Sequence, residues 1–266
     1  MTKLEIMGVL NITPDSFSDG GRFNSVQTAF EQAKLLVSQG ATVLDVGGES
    51  TRPGATRVSI EEELARVIPV IEAIKNLGAA ISIDTMNAET AAAAVAAGAS
   101  IINDVSGGKN DPEIFKVAAD TNSTFIVSHW RGHSTEMDRL NNYQDIVEDV
   151  TVEIAEQVAK AKSAGIKKLV IDPGLGFAKN AEQNWKLLRG RTLLQSIGLP
   201  VLYGTSRKRF IAEVLGPDAT TESKDQATAV LNAMLAGDKN VWGFRVHNVK
   251  ATMDALSIRS ALNSEN

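Results

Sequence analysis

The chain has 266 residues, a net charge of −5, 22% charged and 43% hydrophobic residues, and no cysteine. Those values exclude disulfide scaffolds, thiol catalysis and cysteine metal sites, and the acidic balance speaks against a broadly basic nucleic-acid binder. No run approaches the roughly 18 apolar residues of a membrane span. Met1-Thr2-Lys3-Leu4-Glu5 carries an acid where a signal peptide would be basic and then apolar. The expectation is one cytoplasmic domain over residues 1–266, with neither membrane nor nucleic acid as partner.

In chain order, short runs of aliphatic and β-branched residues occur at 6–11, 41–45, 81–84, 101–104, 124–129, 169–172, 200–204 and 241–247. Five of them follow a glycine that ends a helical stretch: Gly40, Gly78, Gly98, Gly165 and Gly198. Runs this short and this apolar read as strands buried on both faces, the signature of a parallel sheet. Helical stretches lie between them. Ser59 with Glu62 and Ser223 with Gln226 have the spacing of capping boxes, and Asp111-Pro112 supplies an N-cap followed by proline. Eight βα units in one chain of this length define an α/β protein built as a single (β/α)8 barrel. An open doubly wound sheet is the other architecture with this alternation.

In such a barrel the active site lies at the C-terminal ends of the strands. Those ends carry Asn11, Asp45, Asp84, Asn103, His129, Asp172 and the pair Arg245 and His247. Any one of them reads equally well as a turn or cap residue, but seven polar strand ends converging on one mouth read as a site. Asp84, Asn103 and Asp172 offer acceptors and one amide, the complement of a flat 2-amino-4-oxo nitrogen heterocycle. Arg52, Arg207, Lys208, Arg245 and His247 place positive charge just after strands. A helix beginning near Asn248 would aim N–H groups at the same spot, which suits phosphate. Loops 13–21 and 47–54 are longer and richer than a barrel connection needs. Gly174-Leu175-Gly176-Phe177-Ala178-Lys179 lacks the last glycine of a dinucleotide-binding motif and reads as a turn. His129 and His133 are separated by Trp130-Arg131-Gly132, which argues against a helical zinc pair.

The segments Leu10-Asn11-Ile12-Thr13-Pro14-Asp15-Ser16-Phe17-Ser18-Asp19-Gly20-Gly21 and Gly48-Glu49-Ser50-Thr51-Arg52-Pro53-Gly54 resemble the two signatures of the dihydropteroate synthase family. Ser82-Ile83-Asp84-Thr85, Ile102-Asn103-Asp104, Asp172-Pro173-Gly174, Ser206-Arg207-Lys208 and Arg245-Val246-His247 match in order, so the likeness covers essentially the whole chain. The resemblance implies joining of (7,8-dihydropterin-6-yl)methyl diphosphate to 4-aminobenzoate, with Mg2+ as cofactor and a homodimer as assembly. It implies that Asp84, Asn103, Asp172 and Lys208 hold the pterin with Phe177 beside it. Asn11 would reach the magnesium, and Arg245 and His247 would hold the diphosphate. Phe17, Asp19, Thr51, Arg52 and Pro53 would form the aminobenzoate side, with Asp19, Lys208, Arg245 and His247 acting in catalysis. Ser128 stands where the family usually has Met, and Arg209 where a smaller residue is frequent. Two other readings share the pterin-binding barrel: a methyltetrahydrofolate-using corrinoid methyltransferase and a non-catalytic pterin-binding paralogue.

Overall fold

Eight β-branched runs pair in parallel, each with its sequence neighbours, and the first also pairs with the last. The computed structural model describes residues 4–12, 21–49, 57–133 and 135–263. Its elements alternate as β1 (Glu5–Asn11), α1 (Gly21–Ser38), β2 (Val43–Gly47), α2 (Ile60–Ile74), β3 (Ala80–Asp84), α3 (Ala88–Ala97), β4 (Ile101–Asp104), α4 (Glu113–Asp120) and β5 (Thr124–Ser128). They continue as α5 (Ile146–Ser163), β6 (Lys168–Asp172), α6 (Ala181–Arg189), α7 (Arg191–Gln195), β7 (Val201–Tyr203), α8 (Arg209–Leu215), α9 (Thr221–Leu235), β8 (Val241–Val246) and α10 (Val249–Asn263). The β1–β8 ladder closes the sheet, so the architecture is the expected (β/α)8 barrel and the open sheet is excluded. No helix among the described residues is long and apolar enough to cross a membrane.

Side chains alternate across each strand, and the alternation separates two apolar clusters. Outward positions such as Leu44, Val46, Ile81, Ile83, Phe125 and Val127 pack beneath the helices in the larger one. Inward positions Met7, Val43, Ile101, Ile126, Val170 and Leu202 form a second, smaller cluster that plugs the barrel floor, with Trp242 against it. Trp242 reaches there because the β7–β8 ladder shifts register by one residue between Val201 and Leu202.

Several boundaries differ from the sequence reading. The second strand does not end at Asp45: its ladder with β1 continues through Leu10 opposite Val46 and Asn11 opposite Gly47. Asp45 therefore sits within the strand, deeper in the barrel than a strand-end residue. Ser59 caps α2 as expected, its Oγ accepting the Glu62 N–H at 3.2 Å, but the Glu62 carboxylate turns to Arg66 instead of closing a box. α9 begins two residues before Ser223, because Thr220 is its cap, the Thr220 hydroxyl accepting the Ser223 N–H at 3.1 Å. Two helices, α6 and α7, stand before β7, and two more, α8 and α9, stand before β8. The five glycines between helix and strand all have positive φ, up to 134° at Gly98, where a Cβ would also press on Lys75.

Candidate active site

Above the apolar floor the inward positions turn polar. Two residues beyond Val43, Ile101, Ile126 and Val170 come Asp45, Asn103, Ser128 and Asp172, and β3 and β8 add Asp84 and Arg245 at the same end. The Arg245 Nε donates to Asp45 Oδ2 at 2.5 Å and its Nη2 to Asp84 Oδ2 at 2.6 Å. The Asn103 amide donates to the Asp45 carboxylate at 3.3 and 3.4 Å. Asp45 is thus the centre of the group, bound by both Arg245 and Asn103. Ser82 Oγ, whose residue pairs with Asp45 in the ladder, is buried without a hydrogen-bond partner among the described residues. A polar ligand edge entering the barrel would find that hydroxyl ready to pair.

The opposite wall is built by the turn after β6 and the start of α8. Asp172 Oδ1 accepts the Gly174 N–H at 2.7 Å. Lys208 Nζ lies 4.2 Å from the centre of the Phe177 ring. The Gly174–Ala178 segment is a turn, closed by Phe177 N–H on Gly174 O at 3.0 Å, as its sequence suggested. Both of its glycines have positive φ, and Gly174 is also required by close approach to backbone. A Cβ on Gly174 would fall 2.2 Å from His129 O, and one on Gly176 would fall 2.8 Å from Lys208 Cδ.

Burial governs the charges. It pushes the Asp84 carboxyl up to about 7, against the pull of Arg245 and with the push of Asp45. Asp172 is raised for the same reason, its bond from Gly174 only partly opposing the shift. Burial brings the Lys208 ammonium down to about 8 despite Asp172. It also works against Arg245, but Asp45 and Asp84 outweigh it and hold the guanidinium charged more firmly than usual. His247, buried and near Arg245 and Arg207, falls to about 3 and is neutral. Ser206 Oγ lies 2.9 Å from His247 Nδ1 and accepts the His247 N–H at 3.1 Å. In the tautomer in which the Ser206 O–H donates to Nδ1, the neutral imidazole carries its proton on Nε2.

The structure brings Asp84, Asn103, Asp172, Phe177, Lys208, Arg245 and His247 to one end of the barrel. Asn11 is there too: a Cβ on Gly47 would lie 3.7 Å from its Oδ1 and 3.6 Å from Asp84 Oδ2. Phe17, Asp19, Thr51, Arg52 and Pro53 lie outside the described residues. Two expectations need correction. His129 does not point into the mouth: its ring is buried against Lys179 and Glu153 on the helix side, because Ser128 takes the inward position of β5. Arg207 is not an open cation, since it is bound to Asp225 by two bonds of 2.7 and 2.8 Å. Asn248 does open α10, its Oδ1 accepting the Ala251 N–H at 3.0 Å.

A barrel mouth that joins buried carboxylates and an amide to a lysine, a guanidinium and a neutral imidazole defines an enzyme for a flat nitrogen heterocycle bearing an anionic group. The model of the pterin binding enzyme family matches residues 7–247. The dihydropteroate synthase of Mycobacterium leprae is 42% identical over 98% of this chain and 94% of its own, and that of Synechocystis is 44% identical over 97% and 89%. Among solved structures, Xanthomonas albilineans dihydropteroate synthase with 4-aminobenzoic acid superposes with a TM-score of 0.91 at 40% identity, over 100% of this chain and 95% of its own. The same enzyme in complex with 7,8-dihydropteroate superposes with a TM-score of 0.87 at 37% identity, with the same coverage. The chain belongs to the dihydropteroate synthase family of pterin-binding enzymes.

Proposed function

We propose that this chain transfers the (7,8-dihydropterin-6-yl)methyl group from its diphosphate ester to the amino nitrogen of 4-aminobenzoate, giving 7,8-dihydropteroate and pyrophosphate in folate synthesis. The observation that carries the reading is the Arg245 bridge between Asp45 and Asp84, beside Asn103 and within one barrel mouth with Asp172 and Lys208. Carboxylates and an amide at that depth complement the N–H-rich edge of a pterin. Arg245 has five N–H donors and uses two on the carboxylates, which leaves others to face the diphosphate. The neutral His247 offers its Nε2 proton to the same group, and Lys208 with Phe177 flanks the ring.

The methylene C–O bond breaks with its electron pair leaving on pyrophosphate, and the new C–N bond forms from the amine lone pair. The displaced amine proton passes to solvent. Cations that face the leaving group stabilise the charge it develops, and Asp19 would stabilise positive charge spreading into the pterin. An arylamine needs no strong base, so positioning and electrostatics account for the rate. Asn11 would supply one hard oxygen, its amide Oδ1 at the mouth near Asp84. That donor set fits Mg2+, which takes few protein ligands and completes its shell with substrate phosphates and water. When bound, it would neutralise diphosphate charge. Thr51, Arg52, Pro53 and Phe17 belong to the aminobenzoate side of this proposal.

The proposal extends to a cytoplasmic homodimer. Val230 and Met234 on α9, and Ile258 and Leu262 on α10, are exposed apolar residues one turn apart on adjacent helices, a surface suited to a second copy. Pyrophosphate release and dihydropteroate formation, measured with each substrate and magnesium omitted in turn, test the reaction. Equal yields of both products, lost with any omission, are expected. No turnover by the folded protein, or release that ignores 4-aminobenzoate, would overturn the proposal.

A further inference from the structure

Behind the barrel mouth lies a closed ring of polar side chains that the reaction does not use directly. Lys179 is only 7% exposed. Its Nζ donates to the carbonyls of Gly174 and Phe177, both at 3.0 Å, and lies 2.8 Å from His129 Nδ1. His129 Nε2 lies 3.1 Å from Glu153 Oε2, and Arg131 donates to Glu153 Oε1 at 3.0 Å. The Arg131 guanidinium sits 3.8 Å over the Tyr143 ring, and Tyr143 O–H donates to Ala178 O at 3.0 Å. The path begins and ends on the same turn.

The proton positions in this ring follow from chemistry. Burial works to raise Glu153, but hydrogen bonds from His129 and Arg131 outweigh it and bring the carboxyl down to about 2. An ionised carboxylate only accepts, so His129 Nε2 carries the proton and donates. Burial keeps the ring neutral, its pKa down to about 3, which leaves Nδ1 as acceptor and makes Lys179 the donor. Lys179 therefore spends its N–H groups on two turn carbonyls and on an imidazole locked in one tautomer. The turn itself needs holding: Gly174, Gly176 and Ala178 all have positive φ, and alanine at 49° adopts that conformation when its surroundings impose it.

We propose that Lys179, oriented by His129 and Glu153, is a positioning residue for the pterin pocket. By clamping the 174–178 turn it fixes the Gly174 N–H on Asp172 and the Phe177 ring against Lys208. The inference rests on the reading of Asp172, Phe177 and Lys208 as pterin contacts. Ring contacts reached through this turn, and not contacts to the aminobenzoate, are what its loss removes.

The test uses the full chain and 6-hydroxymethyl-7,8-dihydropterin, the ring without its diphosphate, with binding measured by calorimetry. Burial brings the Lys179 ammonium down to about 7, and Lys179→Met, which removes its hydrogen bonds to the turn whatever its charge, is expected to raise the Kd about tenfold. The KM for 4-aminobenzoate should stay unchanged, a split that general loss of structure would not produce. Should Lys179→Met fail to fold, Glu153→Gln reaches the turn through His129 on one side and through Arg131 and Tyr143 on the other, and should weaken pterin binding in the same direction. In wild-type protein, nitrogen-15 NMR of His129 should show Nε2 protonated and Nδ1 bare at pH 7. A protonated Nδ1, or an unchanged pterin Kd in the folded variant, would overturn the inference alone. Absence of pterin binding by the wild type would overturn the functional reading with it.

Discussion

The floor and the mouth of the barrel stand on the same eight strands and obey the same two-residue alternation, yet they differ in what they bury. Met7, Val43, Ile101, Ile126, Val170 and Leu202 fill the floor with no polar atom to satisfy. One step higher, Asp45, Asn103 and Asp172 replace them, with Asp84 and Arg245 alongside. A dry floor contributes stability through packing. A buried ion cluster contributes little, because desolvation of each charge offsets most of the attraction. The mouth is thus charged for recognition, and its charges persist because each neutralises the next: the Arg245 guanidinium holds two carboxylates that burial would otherwise expel.

The largest expected effect comes from breaking that compensation. Arg245→Ala strands Asp45 and Asp84 together in the barrel and should cost about 3–5 kcal/mol in urea unfolding at pH 8. The loss should shrink at pH 5, where a proton on Asp84 relieves the repulsion. The floor should behave differently. Ile126→Ala should cost about 2–5 kcal/mol through its cavity, at any pH, with both KM values unchanged. A pH-dependent loss at the floor, or a pH-independent one at the mouth, would erase the distinction.

Smaller effects sharpen it. Asp84 holds its proton more tightly when folded, with a pKa of about 7 against an ordinary value near 4. Its contribution to stability is fully present below pH 4 and is lost as pH rises through 7. Pterin binding needs the ionised acceptor and should move the opposite way, weakening on acidification below about 7 and approaching tenfold per pH unit. Asp84→Asn should flatten that profile in calorimetric titrations at several pH values. Smallest is Ser59→Ala at the α2 cap, away from both regions, which should cost about 1 kcal/mol by thermal unfolding and leave both KM values alone.

Much of this division can be read from residue order. Asp84, Asn103 and Asp172 stand out because a polar residue closes an apolar run, and periodicity alone places them inward. Asp45 shows the limit. Its importance depends on β2 continuing two residues past it, a consequence of the ladder to β1 that no local pattern contains. His129 fails for the same reason in reverse: Ser128 occupies the inward position, so the conspicuous histidine faces α5. Arg207 looks like an available cation until Asp225, 18 residues on, is folded against it. Lys179 and its ring join residues from four separate segments, and only the closed barrel brings them together.

The central claim is that the polar layer above the floor holds the pterin ring. Its most direct test is calorimetric binding of 6-hydroxymethyl-7,8-dihydropterin at pH 8 to wild-type protein, Asp84→Ala and Ile126→Ala. Asp84→Ala should weaken binding by about 10–150-fold, the range for one hydrogen bond to a charged group, while Ile126→Ala leaves it unchanged. Wild-type affinity in folded Asp84→Ala would contradict the account.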